Sequence, residues 1–292
     1  GEPVDGVVLC VGKNADDAAV LQQVLPRLAQ HPRAGGSDPA RRPFLLQLST
    51  ISSGFAQTVS HACADRGIAY GNYPLTGGPA GANNASMLIL CSGDEPLFNR
   101  VEPLLQVLGN PRFFGTSPTA AAEVKLIGHY MVFGGLTGLT SAAALQRQCL
   151  PESDPVDFFD FLNNGAGGTK QWEVALRKGL ADDRWDTGFF CRHGVIDTLY
   201  AAKLGIEKNL PLPVTLTMLQ MALLLGRAVA ADPDAATHAI YHQFHPESRE
   251  ETDAYLRENL ADLNPKTILT RTLESLPEQI RQSAGLEETL EL

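Results

Sequence analysis

Three short segments carry residue types that could hold and react with a small ligand. Ser49-Thr50-Ile51-Ser52 follows directly on the apolar run Phe44-Leu45-Leu46-Gln47-Leu48. Small hydroxyl side chains at the carboxyl end of a parallel strand face the crevice where open α/β sheets bind ligands. The same residues also serve simply to cap the following helix. Pro74-Leu75-Thr76-Gly77-Gly78-Pro79-Ala80-Gly81-Ala82 is rich in glycine. Glycine permits positive φ and lets a ligand approach backbone amides, and a nest of amides beside Thr76 suits a carboxylate. A tight connection between two elements would use the same residues. Lys125 sits in the apolar stretch Ala121-Ala122-Glu123-Val124-Lys125-Leu126-Ile127-Gly128-His129, with His129 one turn on and on the same helical face. Burial weakens a lysine's hold on its proton and makes it a donor or acceptor near neutral pH. A solvated, snorkelling lysine is the bland alternative.

The elements that must position these segments are legible as alternating runs. Val7 to Val11, Phe44 to Leu48, Ile68 to Tyr70, Met87 to Cys91 and Arg112 to Phe114 read as strands, and Asp16 to Ala29, Phe55 to Arg66 and Glu95 to Leu108 as helices. Strands alternating with helices predict an α/β layer with a mostly parallel sheet. The character changes near residue 120, where a long proline-free apolar helix runs to about Gln148. Helices are expected over 158–162, 170–180, 195–204 and 214–230. The predicted organisation is thus a sheet domain over 1–120, an all-α domain over 121–244, and an acidic helical extension over 245–292. That extension holds 11 Asp/Glu and 5 Lys/Arg. Within it, Ser248-Arg249-Glu250-Glu251 fits a capping box. Pro265 opens a segment with Ile268, Leu269, Leu273, Leu276 and Ile280 as an apolar stripe, of the kind that packs on the parent helical domain or across a dimer.

The 292 residues are 44% hydrophobic and 19% charged, with net charge −10. Such a chain folds around a core rather than remaining disordered. The acidic balance argues against non-specific nucleic-acid binding, and no apolar run approaches the ~18 residues of a membrane span. Cys10, Cys63, Cys91, Cys149 and Cys191 are scattered and odd in number, which predicts reduced thiols, a cytoplasmic setting and no metal site. Trp172 and Trp185 read as core or interface aromatics.

Taken together, the order S-T-I-S, then Y-P-L-T-G-G-P-A-G-A, then a long helix with Lys125 resembles the β-hydroxyacid dehydrogenase family, over about Asp5 to Phe244. The resemblance implies a Rossmann-like cofactor domain, a long connecting helix and an α-helical domain that forms a homodimer. It implies hydride transfer between NAD or NADP and a small hydroxy acid or semialdehyde, a substrate with a carboxylate or carbonyl. Lys125 would be the general acid/base. Thr76, Gly77, Gly78 and His129 would bind substrate, and Val11, Gly12, Ser49, Thr50 and Asp197 would lie against the cofactor. No metal, nucleic acid or membrane partner is implied.

Several positions depart from the family pattern. His129 stands for its asparagine, and Asn72 and Thr76 for its aspartate and serine. Ile196-Asp197 stands for its Lys-Asp pair, with loss of one positive charge. These changes predict an altered substrate. The largest departure is the absence of a G-x-G-x-x-G turn near the start. That turn and its helix cradle the pyrophosphate. The first strand here resembles the family's fourth, so about two βαβ-sized pieces of ~30 residues each are unrepresented. The start at Gly1-Glu2-Pro3, with no Met, favours a partial sequence. A cradle truly lost predicts little NAD(P) binding, and the alternative function is then a non-catalytic binding or scaffold protein on the same fold.

Overall fold

A computed structural model describes residues 4–286. The chain forms two compact units. The first runs to Ile127 and is joined by the residues from Glu278 onward; the second is Gly128–Pro277. The division thus falls one to two helical turns later than residue 120, and the end of the acidic extension groups with the sheet.

In the first unit, β1 (Gly6–Leu9), α1 (Asn14–Ala29), β2 (Phe44–Gln47), α2 (Ser53–Ala64) and β3 (Ala69–Asn72) build a parallel three-strand layer. They are followed by β4 (Leu75–Thr76), α3 (Gly78–Asn83), β5 (Met87–Gly93), α4 (Glu95–Leu108) and β6 (Gly109–Phe113). β5 pairs with β6 in parallel, but with β3 and β4 antiparallel. The sheet is mostly parallel, as its alternation with helices predicts, yet β5 runs against β3. Successive residues of β2 point to opposite faces. Leu45 joins Leu21, Leu25, Phe55 and Val59 in one core, and Leu46 joins Ile89, Leu97, Val101 and Leu105 in the other. Apolar packing on both faces explains why the strands read as continuous hydrophobic runs. Helix starts are chemically marked. The Ser52 hydroxyl accepts from Phe55 N–H (3.3 Å), and Asp94 accepts from Leu97 N–H (2.8 Å) with Pro96 in the first turn.

The glycine-rich stretch is only partly the short loop that its composition predicts. Leu75 and Thr76 pair with Ile89 and Leu88, and α3 begins at Gly78. The turn between them requires glycine: Gly77 has φ 142° and Gly78 φ 62°.

α5 (Ala120–Cys149) begins in the first unit and supplies the opening helix of the second. There it is followed by α6 (Pro155–Leu162), a π-helical turn over Trp172–Leu176 that runs into α7 (Arg177–Asp182), α8 (Cys191–Glu207), α9 (Leu212–Ala231), α10 (Arg249–Asn259) and α11 (Pro265–Ser275). α8 and α9 are the main packed pair. At Gly205 a Cβ would come within 2.7 Å of Thr215 Cγ2, so these backbones approach closely. The membrane expectation needs correction at α9, which has the length and mean hydropathy of a span. Most of it is buried within the unit, including Met218, Leu219, Leu223 and Leu225, so it reads as a core helix.

Two expectations for the extension change. The Ser248 hydroxyl donates to His242 O (2.9 Å) rather than capping α10, so the predicted capping box does not form. Its backbone, at φ −92° and ψ 0°, is not in the extended conformation of an N-cap. The apolar stripe also divides. Ile268 and Leu273 are buried in α11, which packs on α8 and α9. Ile280 lies in α12 (Glu278–Ala284), which packs on α1; there Ser283 Oγ donates to Asp16 Oδ2 (2.8 Å) and Ala284 is fully buried.

Candidate active site

The ends of β1 and β2 bring two predicted ligand positions side by side. Leu9 pairs with Gln47, so the chain leaves both strands at the same sheet edge. Val11 N–H donates to Ser49 Oγ (3.3 Å). Ser49 is buried, Thr50 and Gly12 are half-buried and Val11 is exposed.

Beneath Ser49 lies a polar network that sequence reasoning missed. Ser49 Oγ donates to Asp17 Oδ1 (2.9 Å), Gln47 Nε2 donates to Asp17 Oδ2 (2.6 Å), and Tyr70 Oη donates to Gln47 Oε1 (2.6 Å). Asp17 and Gln47 have no exposed surface. Burial raises the Asp17 carboxyl above its ordinary value, and the bonds from Gln47, Ser49 and the Gly12 backbone oppose that rise. The available signal was spacing: Asp17 precedes Leu21 and Leu25 at intervals of four, on the face of α1 that enters the core.

The second group centres on Lys125. The side chain is half-buried, and Nζ donates to Leu75 O (2.8 Å), one residue before Thr76. Within the first unit, Lys125 therefore contacts the residue that precedes the Thr76-Gly77-Gly78 segment. Thr76 is half-buried, and Gly77 and Gly78 are exposed. In the second unit, His129 and Asp197 are brought together. Both are buried, at 5% and 2% exposure, with His129 Nε2 at 3.7 Å from Asp197 Oδ2. His129 also packs edge-on against Phe133 (5.8 Å between centroids). Ile196, beside Asp197, is core.

A dinucleotide finds only part of its site in these residues. At the strand ends Thr50, Gly12 and Val11 are accessible, whereas the Ser49 hydroxyl is buried and bonded to Val11 and Asp17. The first turn of α1 is not the one that the resemblance gives to the pyrophosphate, because β1 resembles the family's fourth strand. The first turn of α1 holds two carboxylates, Asp16 and Asp17. Asp16 Oδ2 accepts from Lys13 N–H (2.9 Å), and a Cβ at Gly12 would fall 2.2 Å from the same oxygen. Asp16 thus holds the Lys13 amide at the start of this helix.

Residues 2–125 match the model of the NAD binding domain of 6-phosphogluconate dehydrogenase. The chain is 24% identical over 188 residues to 2-(hydroxymethyl)glutarate dehydrogenase of Eubacterium barkeri, covering 63% of this chain and 62% of that one. It is 28% identical over 218 residues to L-threonate dehydrogenase of Escherichia coli O6:H1, covering 70% and 66%. The chain is thus similar to dehydrogenases of the β-hydroxyacid type. Its fold matches the crystal structure of a 3-hydroxyisobutyrate dehydrogenase from Salmonella typhimurium with TM-score 0.67 and 23% identity, over 82% of this chain and 79% of that one. The chain spans 62–66% of the length of the two sequence relatives it matches.

Proposed function

We propose that this protein is an NAD(P)-dependent oxidoreductase acting on a small hydroxy acid or the corresponding carbonyl compound. The observation that carries the proposal is the Lys125 ammonium, held 2.8 Å from the backbone carbonyl that leads into the glycine segment. When bound, the nicotinamide supplies or accepts the hydride. Lys125 gives its proton to the substrate oxygen in reduction and takes it back in oxidation. Thr76 Oγ1 and the backbone at Gly77 and Gly78 bind the substrate carboxylate and orient the reacting carbon. His129 is the proposed second substrate contact. Val11, Gly12, Ser49 and Thr50 hold the ribose and nicotinamide side, and Asp197 is proposed on the cofactor side. A cytoplasmic homodimer through the helical unit completes the reading.

The buried Ile196, where the resemblance expects a lysine, favours one competing reading, a non-catalytic scaffold on the same fold. Calorimetric titration of the full protein with NADH and NADPH separates the two. The enzyme reading expects micromolar binding of at least one. Absence of binding to both would support the scaffold.

A further inference from the structure

The helix that carries Lys125 is tied to the sheet by two side chains that nothing in the sequence singled out as structural anchors. Asn72 ends β3, and Ser92 lies opposite it on β5 as its paired residue in the antiparallel ladder. Neither has exposed surface. Asn72 Nδ2 donates to Pro118 O (3.1 Å), in the segment that enters α5. Ser92 Oγ accepts from Ala121 N–H (3.0 Å), in the first turn of α5. That amide is one of the helix-start donors with no partner inside the helix. A third tie fixes the same turn from the side: Glu123 Oε1 accepts from Ser53 Oγ (3.2 Å) and Thr119 Oγ1 (3.4 Å).

We infer that Asn72 and Ser92 are positioning residues that set the reach of Lys125 over the Leu75–Gly78 segment; the functional meaning of this rests on the reading of Lys125 as the proton-transferring group. The geometry closes a short loop. Lys125 lies one helical turn after Ala121, and its Nζ donates to Leu75 O. Leu75 is three residues beyond Asn72 along the chain. Asn72 therefore holds both sides of the Lys125–Leu75 contact: its backbone leads to the acceptor, and its side chain holds the helix that bears the donor. Only a donor suits the Pro118 carbonyl, so the amide orientation is determined; reversing it would set two carbonyl oxygens against each other. Asn72 Oδ1 is buried with no hydrogen-bond partner. Keeping an amide there leaves an acceptor unsatisfied, which carries a cost. The bond to Pro118 is the gain that offsets it.

The test compares Asn72→Ala, Ser92→Ala and the milder Ser92→Cys with the unaltered full chain. The first readout needs no substrate: the rate at which Lys125 is acylated by an acetyl N-hydroxysuccinimide ester across pH 7–9, followed by peptide mass spectrometry with exposed Lys170 as internal standard. Each alanine variant is expected to raise Lys125 acylation relative to Lys170 about fivefold, the effect of one lost hydrogen bond, and Ser92→Cys to fall between. Should the alanine variants not fold, Ser92→Cys decides alone. The second readout is turnover of a hydroxy acid that the unaltered protein oxidises, where kcat is expected to fall about tenfold or more with KM within about twofold. Unchanged relative acylation in folded variants overturns the inference. A raised acylation rate, combined with a Lys125→Met protein that still turns over normally, upholds the positioning and removes the catalytic reading instead.

Discussion

A lysine ammonium bonded to a backbone carbonyl is restrained but still acidic, because a carbonyl accepts a hydrogen bond without taking the proton. Lys125 beside Leu75 O is such a group, and the next residue, Thr76, opens the segment proposed to hold the substrate. Asp17 presents the opposite problem, a carboxylate sealed in the core and satisfied only by its donors. Asp17→Ala would leave the Gln47 amide and the Ser49 hydroxyl without their acceptor, at a cost of about 2–4 kcal/mol by urea unfolding. Its titration has a definite sign. With the folded carboxyl raised above 3.8, the folded state holds the proton more tightly than the unfolded state. Asp17's contribution to stability is therefore greatest below 3.8 and declines as pH rises through its folded pKa. Lys125 was legible in the sequence because a charge inside an apolar helical pattern stands out. The Asp17 network was not, because an acidic residue in a first helical turn has a ready surface explanation in the helix dipole.

Among the elements, those defined by local periodicity were read closely. α4 has the bounds expected for it, and α5 extends one residue past Gln148. What local patterns could not show was direction and destination. β5 has the apolar run of a buried strand, but its antiparallel pairing with β3 is a non-local choice. The Thr76–Ala82 stretch has loop composition, yet hydrogen bonds to β5 make part of it a strand. Likewise, nothing in the stripe from Ile268 to Ile280 reveals that α11 packs on α9 while α12 packs on α1. Another element-level feature is the aromatic cluster around the segment after α9. Trp185 stacks on Tyr241 (5.5 Å), and His238, His242 and His245 pack against these rings. All three imidazoles titrate below 6.5, chiefly because burial disfavours their charged forms. Arg147, whose Nη1 lies 2.6 Å from His245 Nδ1, pushes His242 and His245 further down, while Asp183 and Glu247 oppose it. Groups kept neutral by folding stabilise above the unfolded pKa, and that stability is lost as pH falls from about 6.5 toward their folded values. Unfolding of the helical unit should therefore become easier between pH 7 and 5. In His238→Gln this acid sensitivity should be smaller, as measured by urea midpoints at a series of pH values. An unchanged pH slope would assign the effect to other groups.

At the scale of the whole molecule, the two units can be watched separately. Both tryptophans, Trp172 and Trp185, belong to the second unit, and the Asp17 network belongs to the first. Asp17→Ala is expected to lower the urea midpoint of the unit-one signal in far-ultraviolet circular dichroism while leaving the tryptophan emission midpoint in place. Coincident shifts would show that the units unfold as one cooperative body. The resemblance to β-hydroxyacid dehydrogenases and the layered architecture were visible from three motifs and the change of character near residue 120. We expect the departures from the family pattern, His129 and Asn72 among them, to show as an altered substrate. The most direct test of the account is a comparison of Lys125→Met with the unaltered full-length protein, oxidising a panel of short 2- and 3-hydroxy acids with NAD and NADP. The account predicts that kcat falls about 10²–10⁴-fold while affinity for the preferred dinucleotide stays within about twofold. Undiminished turnover of any good substrate would contradict it.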